Sequence, residues 1–178
     1  MMAILPVVKY GNPILRKRMK SVDNISHVSS LIKDMFDTMY QEDGIGLAAN
    51  QVGVDFNLSV VDISHMEECD TPFVFINGKI IDKWGESVIE EGCLSLPGIR
   101  VDVPRSEGIR FSYLDPSGRE HIEDFEGLLA RVIQHEIDHL DGLIIIDRVS
   151  PLIKQQLKSQ LKEMASISDL EISSKDSP

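Results

Sequence analysis

Apolar residues recur at helical spacing in three stretches of the chain, and at β-type spacing between the first two. The spacing of Val28, Leu31, Ile32, Met35, Phe36 and Met39 predicts a helix from about Ser26 to Tyr40, stopped near Gly44. Leu128, Leu129, Val132, Ile133, Ile137 and Leu140 predict a second, from about Phe125 to Leu140. Glu123, Asp124 and Glu126 lie at its start and Asp141-Gly142 at its end. A third follows Ser150-Pro151, where serine can cap and proline can take the first helical position; its stripe is Ile153, Leu157, Leu161 and Met164.

Between the first two helices, Asn57–Ile63, Phe73–Ile76, Lys79–Trp84, Ile99–Val103 and Ile109–Leu114 are rich in β-branched or aromatic residues and read as short strands. Asn77-Gly78 and Asp115-Pro116-Ser117-Gly118 read as breakers between them, and Tyr113 to Ile122 as a hairpin. Strands that cluster rather than alternate with helices predict an α+β fold: short, mostly antiparallel strands around a central helix, with an N-terminal and a C-terminal helix. Residues 165–178 are serine-rich and weakly apolar, which predicts a frayed or disordered tail after a single domain over 1–164.

Composition narrows the partners. The chain has 178 residues, 42% hydrophobic and 26% charged, enough for one core of ordinary globular character. A net charge of −11 argues against general or specific DNA binding, because phosphates would be repelled. No apolar run approaches the ~20 residues that cross a bilayer. The opening Met1 to Val8 has no basic residue ahead of its apolar run and is interrupted by Pro6, unlike a secretory signal. Two cysteines, Cys69 and Cys93, are too few for a disulfide framework, so a reduced, cytoplasmic protein is expected, with no membrane partner.

The candidate chemistry lies in the second helix. Gln134-His135-Glu136-Ile137-Asp138-His139 is a His-Glu-x-x-His motif, and residues four apart on a helix share a face. Two imidazoles so placed can grip one metal ion, with Glu136 beside them as a base; the plainer alternative is a pair of hydrogen-bonded core histidines. A catalytic site needs a third ligand. Reading downstream gives His-x-x-Gly-x-x-Ile, with Ile145 where a metzincin protease carries its third histidine, and an aliphatic side chain cannot bind metal. Glu163 and Glu171 lie near the chain end and are poor alternatives. Upstream, Cys93 stands between Gly92 and Pro97-Gly98, a punctuated backbone that can hold a thiolate in place. Thiolate plus two imidazoles leaves an open position for water.

Three segments together resemble the signature motifs of the peptide deformylases: Gly44-Ile-Gly-Leu-Ala-Ala-Asn-Gln-Val-Gly53, Glu91-Gly-Cys-Leu-Ser95 and Gln134-His-Glu-Ile-Asp-His139. They occur in the family's order, and supporting similarity runs from Asn12-Pro13-Ile14-Leu15-Arg16 to Asp147-Arg148-Val149-Ser150-Pro151. The resemblance implies removal of the formyl group from the N-terminal formyl-methionine of nascent proteins. It implies Cys93, His135 and His139 as metal ligands with water as the fourth, and Glu136 as general base and then acid. It implies the Gln51 amide and the Leu94 N–H as donors to the oxyanion. The family's substrate groove maps onto Gly44, Ile45, Gly46, Ile89, Glu91, Arg100, Leu128 and Val132, with an unbranched apolar first side chain preferred.

The donor set alone is compatible with zinc. The resemblance implies Fe2+ in the cell, replaceable by Zn2+, Ni2+ or Co2+. Two positions depart from the family pattern. Gly78 follows Asn77 where proline is common, implying a looser turn, and Arg131 stands where many members carry an apolar residue, either at the pocket mouth or reaching to water. Lys154, Lys158 and Lys162 form a basic row on the last helix that by resemblance docks at the ribosome. His27, His65 and His121 lack partners at ligand spacing and read as surface residues, and Cys69 as a bystander thiol. Two other classes stay open: a metallopeptidase cleaving internal peptide bonds, and a non-catalytic, metal-stabilised peptide-binding module.

Overall fold

A computed structural model describes residues 3–66 and 72–175. Among them, α1 (Ser29–Gln41) is followed by strands β1 (Gly46–Ala48), β2 (Leu58–Val61), β3 (Phe73–Trp84), β4 (Ser87–Gly92), β5 (Arg100–Arg105), β6 (Gly108–Leu114) and β7 (Glu120–Glu126). Helices α2 (Gly127–Leu140) and α3 (Pro151–Lys175) complete the order. The fold is α+β. One sheet runs β1-β2-β3-β6-β7, antiparallel throughout; β4 and β5 form a separate antiparallel pair.

Local chemistry explains the elements and three departures from the expected boundaries. The two apolar runs divided at Asn77-Gly78 are one strand, β3. Asn77 takes φ 54° and the register with β6 shifts between Ile76 and Lys79, so the pair forms a bulge. The Asn77 amide grips Val22, accepting from its N–H at 2.7 Å and donating to its carbonyl at 3.0 Å. Gly78 packs where a Cβ would stand 2.5 Å from the Phe111 ring, so no loose turn exists there.

Helix α2 starts two residues later than expected. Phe125 pairs with Ile109 in the β6–β7 ladder and is 8% exposed, so Glu123, Asp124 and Glu126 belong to a strand instead of a helix start. Gly127, at φ +63°, makes the turn into α2, a conformation costly for other residues. The hairpin before it is set by Asp115, whose Oδ1 accepts from the Ser117 and Arg119 amides at 2.8 and 3.1 Å.

α3 continues through residues 165–175, and its packing on the body extends as far as Ser168. Leu161 and Ser168 are buried, Ser168 Oγ donates to the Lys9 carbonyl at 3.4 Å, and Ala165 sits so close to Gly11 that a Cβ there would be 2.7 Å from its Cα. Residues 176–178 and Cys69 lie outside the described residues.

The core places α2 centrally. Its apolar face, Val132, Ile133, Ile137 and Leu140, packs on the large sheet through Phe75, Phe111, Tyr113 and Phe125. The Phe75 ring meets those of Phe111 and Tyr113 edge-on, at 5.2 and 4.8 Å. Its other face bonds to β4 and β5 through Arg131, His135 and Asp138. A further apolar cluster, including Leu96, Val103, Ile145 and Leu161, fixes β5 and the turn after β4 against α3. The His-Glu-x-x-His segment is thus held between two layers. No helix among the described residues is long and apolar enough to cross a membrane.

Candidate metal centre

One helical turn separates His135 from His139, and their Nε2 atoms lie 3.2 Å apart. Cys93, in the turn directly after β4, brings its Sγ to 3.2 Å from His139 Nε2. The turn is closed by bonds from Leu96 N–H to the Cys93 carbonyl at 2.9 Å and from Ile99 N–H to the Leu96 carbonyl at 3.1 Å. The three donor atoms lie within 4.8 Å of one another. Ligand bonds of roughly 2.0–2.3 Å to one tetrahedral ion require separations of about 3.3–3.7 Å. A thiolate and two imidazoles at this distance therefore fit a divalent ion with little movement. The core-histidine alternative does not explain why His139, 1% exposed, turns its Nε2 toward two other ligand atoms at once, Cys93 Sγ and His135 Nε2, each at 3.2 Å.

Glu91 orients the first imidazole. Its Oε2 faces His135 Nδ1 at 3.0 Å, which fixes a proton there and leaves Nε2 free as a ligand. Arg105 clamps the same carboxylate, Nε to Oε1 at 2.6 Å and Nη2 to Oε2 at 2.9 Å, and its Nη1 reaches Asp138 at 2.9 Å. Arg148 Nε holds Asp138 from outside at 3.0 Å. Burial works to raise the Glu91 carboxyl, but bonds from His135 and Arg105 outweigh it and hold the group down at about 2.

Arg131 completes this network and neither lies at the pocket mouth with a free head nor reaches water. It is 5% exposed, and its Nη1 donates to Glu91 Oε1 at 2.7 Å and to the Val103 carbonyl at 3.0 Å. Its Nη2 donates to the Ser87 carbonyl and hydroxyl at 2.8 and 2.9 Å.

Glu136 is 3% exposed, and its Oε2 has no partner among the described residues. Burial is the strongest influence on it and pushes the carboxyl up to about 7, with His135 and Arg105 pulling the other way. Gly46 explains how so close a fit is possible, since a Cβ there would stand 2.4 Å from Glu136 Oε1. Across the site Gln51, 1% exposed, accepts from the Ala48 N–H at 3.0 Å. That anchor turns its Nε2 toward Ser95 Oγ, at 3.2 Å, and Cys93 Sγ, at 3.8 Å.

A groove of about 740 Å³ opens over these groups. All eight expected substrate residues line it: Gly44, Ile45 and Gly46 on one side, Ile89, Glu91 and Arg100 on the other, Leu128 and Val132 beneath. Gln51, Cys93, Leu94, His135 and Glu136 line it as well. Arg100 is an exposed residue paired to Glu90 at 2.7 Å.

Some residues have other roles than expected, or roles that the sequence barely signals. His65 lines the groove with Met66 and Asp43. His121 pairs with Asp115 at 2.8 Å and stacks on Tyr113, whereas His27 is an exposed neighbour of Asn24. Asn50 donates to the His139 carbonyl at 2.6 Å, and Lys9 Nζ to the Leu94 carbonyl at 2.9 Å. Arg105 has a sequence signal: it continues the buried alternation of Val101 and Val103 in β5. Ile145 is buried, while Glu163, Glu171 and the lysines at 154, 158 and 162 are exposed on α3.

Comparison with known proteins agrees with this geometry. The sequence profile of the polypeptide deformylase family matches residues 4–155. Peptide deformylase 2 of Xanthomonas campestris pv. campestris is 46% identical over 167 residues, spanning 92% of this chain and 97% of that protein. The crystal structure of peptide deformylase from Thermus thermophilus superposes with a TM-score of 0.86 at 36% identity, over 93% of this chain and 99% of that one. A peptide deformylase from Legionella pneumophila superposes with a TM-score of 0.83 at 37% identity, over 99% and 100%. A match running through all three motifs and nearly the whole length of its relatives leaves one conclusion: the chain belongs to the polypeptide deformylase family, enzymes whose divalent metal the Cys93, His135 and His139 cluster is chemically fit to hold.

Proposed function

We propose that this chain hydrolyses the N-formyl group from formyl-methionine at the N-terminus of nascent proteins. The observation that carries the reading is the convergence on one groove of three ligand atoms, a buried carboxylate oxygen without a partner among the described residues, and a side-chain amide donor. Cys93, His135 and His139 would hold one divalent ion, assigned as Fe2+, with Zn2+, Ni2+ and Co2+ acceptable to the same donors. Such an ion, when bound, brings the pKa of a water close to neutrality and polarises a carbonyl.

The protein's own groups supply the rest. Glu136 Oε2 takes a proton from the attacking water as its oxygen joins the formyl carbon, and returns that proton to the amine as the carbon–nitrogen bond breaks. Formate and a free amino terminus are the products. Gln51 Nε2 and the Leu94 N–H stabilise the oxyanion that develops between these steps. The apolar surface of Ile45, Ile89, Leu128 and Val132 takes the unbranched methionine side chain, and the open edge of β4 offers backbone groups to an extended peptide. A metallopeptidase reading lacks a third ligand downstream of the motif. A mere capture module has no use for Glu136. The exposed lysines of α3 support docking of the enzyme at the ribosome.

The test is formate release from formyl-Met-Ala-Ser by protein purified without oxygen. Release should disappear on chelation and return with Fe2+; a metal-loaded protein that yields no formate would refute the reading. Gly46→Ala should lower formate release about a hundredfold, because a methyl 2.4 Å from Glu136 Oε1 must displace the base. Unchanged turnover in that variant would show that Glu136 has room to shift without loss.

A further inference from the structure

The two-stranded β4–β5 sheet forms one wall of the groove, yet among the described residues no backbone ladder joins it to the large sheet. Arg131 spans the gap. From one position on α2, a single turn before His135, its guanidinium reaches both ends of β4: Ser87 through its carbonyl and hydroxyl, and Glu91 through Oε1. It also holds β5 at the Val103 carbonyl. Its side chain is buried among these partners and belongs to the groove lining. Four acceptors for one planar fork make a rigid tie, because a guanidinium cannot satisfy them all in another orientation.

We propose that Arg131 is a substrate-positioning residue, which fastens the β4 wall to the metal helix and so sets the width of the groove across which the formylated peptide lies. The inference rests on the deformylase reading above. Glu91 does not depend on Arg131 for charge balance, since Arg105 grips both its oxygens and His135 Nδ1 remains in place. Loss of the tie therefore frees the Ser87 end of the wall, while Glu91 and the metal donors stay assembled. The interaction of the peptide with β4 is made before and throughout reaction, so its loss falls on KM more than on kcat.

The decisive variants are Arg131→Met, which keeps an unbranched stem and removes every donor, and Ser87→Ala, which removes one acceptor. On metal-loaded enzyme with formyl-Met-Ala-Ser, Arg131→Met should raise KM about tenfold with kcat within about twofold. Ser87→Ala should raise KM about threefold. Metal affinity, read by competition with a chelating dye, should be unchanged in both, and β4 amides should exchange hydrogen faster in Arg131→Met. An unchanged KM, or a kcat that falls in step with weakened metal binding, would overturn the proposal. Should Arg131→Met fail to fold, Ser87→Ala decides by the same measurements. A wild-type protein that releases no formate would refute the deformylase reading instead; β4 exchange would still test the tie, and unaltered protection would end it.

Discussion

Glutamine in place of Glu136 is expected to cut formate release about 10²- to 10⁴-fold, the usual contribution of a positioned acid–base group, while metal content stays near one ion per chain. Glutamine matches glutamate in shape but cannot accept and return a proton. The surroundings show why this carboxylate suits the task. Burial raises it to about 7, so near neutral pH it can hold or release a proton with little penalty. Its Oε2 has no partner among the described residues, while Gly46 confines the other oxygen. Glu136 is not among the three clustered donors, so metal analysis separates a lost base from a lost ion. Full turnover in the glutamine variant would move the proton transfer elsewhere, and loss of the metal would make Glu136 a ligand or a structural support.

The contrast between Glu136 and its neighbours shows how far the sequence can be read. The i, i+4 histidines are legible because helical geometry is local; once α2 is inferred, their common face follows. Cys93 is legible only by elimination and resemblance, because the turn that carries it 42 residues upstream of His135 is a tertiary placement. β4 escapes recognition for a related reason. Its sequence, Ser-Val-Ile-Glu-Glu-Gly, puts exposed Val88, Ile89 and Glu90 beside buried Glu91, and this inverts the pattern by which half-buried strands are recognised. A strand whose one buried side chain is a carboxylate makes sense only with its partners in view.

The same limit applies to arginine and to the chain's end. Arg105 is readable from the alternation of β5, whereas Arg131 lies on a helix face whose partners come from two strands, one of them the unrecognised β4. Residues 165–175 are weakly apolar, yet they continue α3 with most positions exposed. A serine hydroxyl and a close Gly11–Ala165 approach dock them, signals that composition does not carry. Asn77-Gly78 is a true breaker dipeptide by propensity, but the sheet accommodates it as a bulge, so tertiary pairing overrides the local preference.

Methionine in place of Glu91 is expected to destabilise the fold by about 3–5 kcal/mol, whereas Arg105→Met should cost distinctly less. The asymmetry comes from what each removal leaves behind. Without Glu91, among the described residues Arg131 keeps carbonyl and hydroxyl acceptors, Arg105 keeps Asp138, and His135 Nδ1 loses its acceptor. Without Arg105, Glu91 still has Arg131 and His135, and Asp138 still has Arg148. The sign of the pH dependence follows from the same contacts. Glu91 sits at about 2 in the folded protein against 4.5 ordinarily, so its stabilisation is complete above the ordinary value and is lost as pH falls toward 2. Urea unfolding of wild type and both variants at pH 7 and pH 4 would measure this. The gap between wild type and Glu91→Met should narrow at the lower pH, where the unfolded carboxyl has begun to bind its proton. Equal losses for the two variants, or a gap that widens on acidification, would show that Glu91 is not the anion on which this buried network balances.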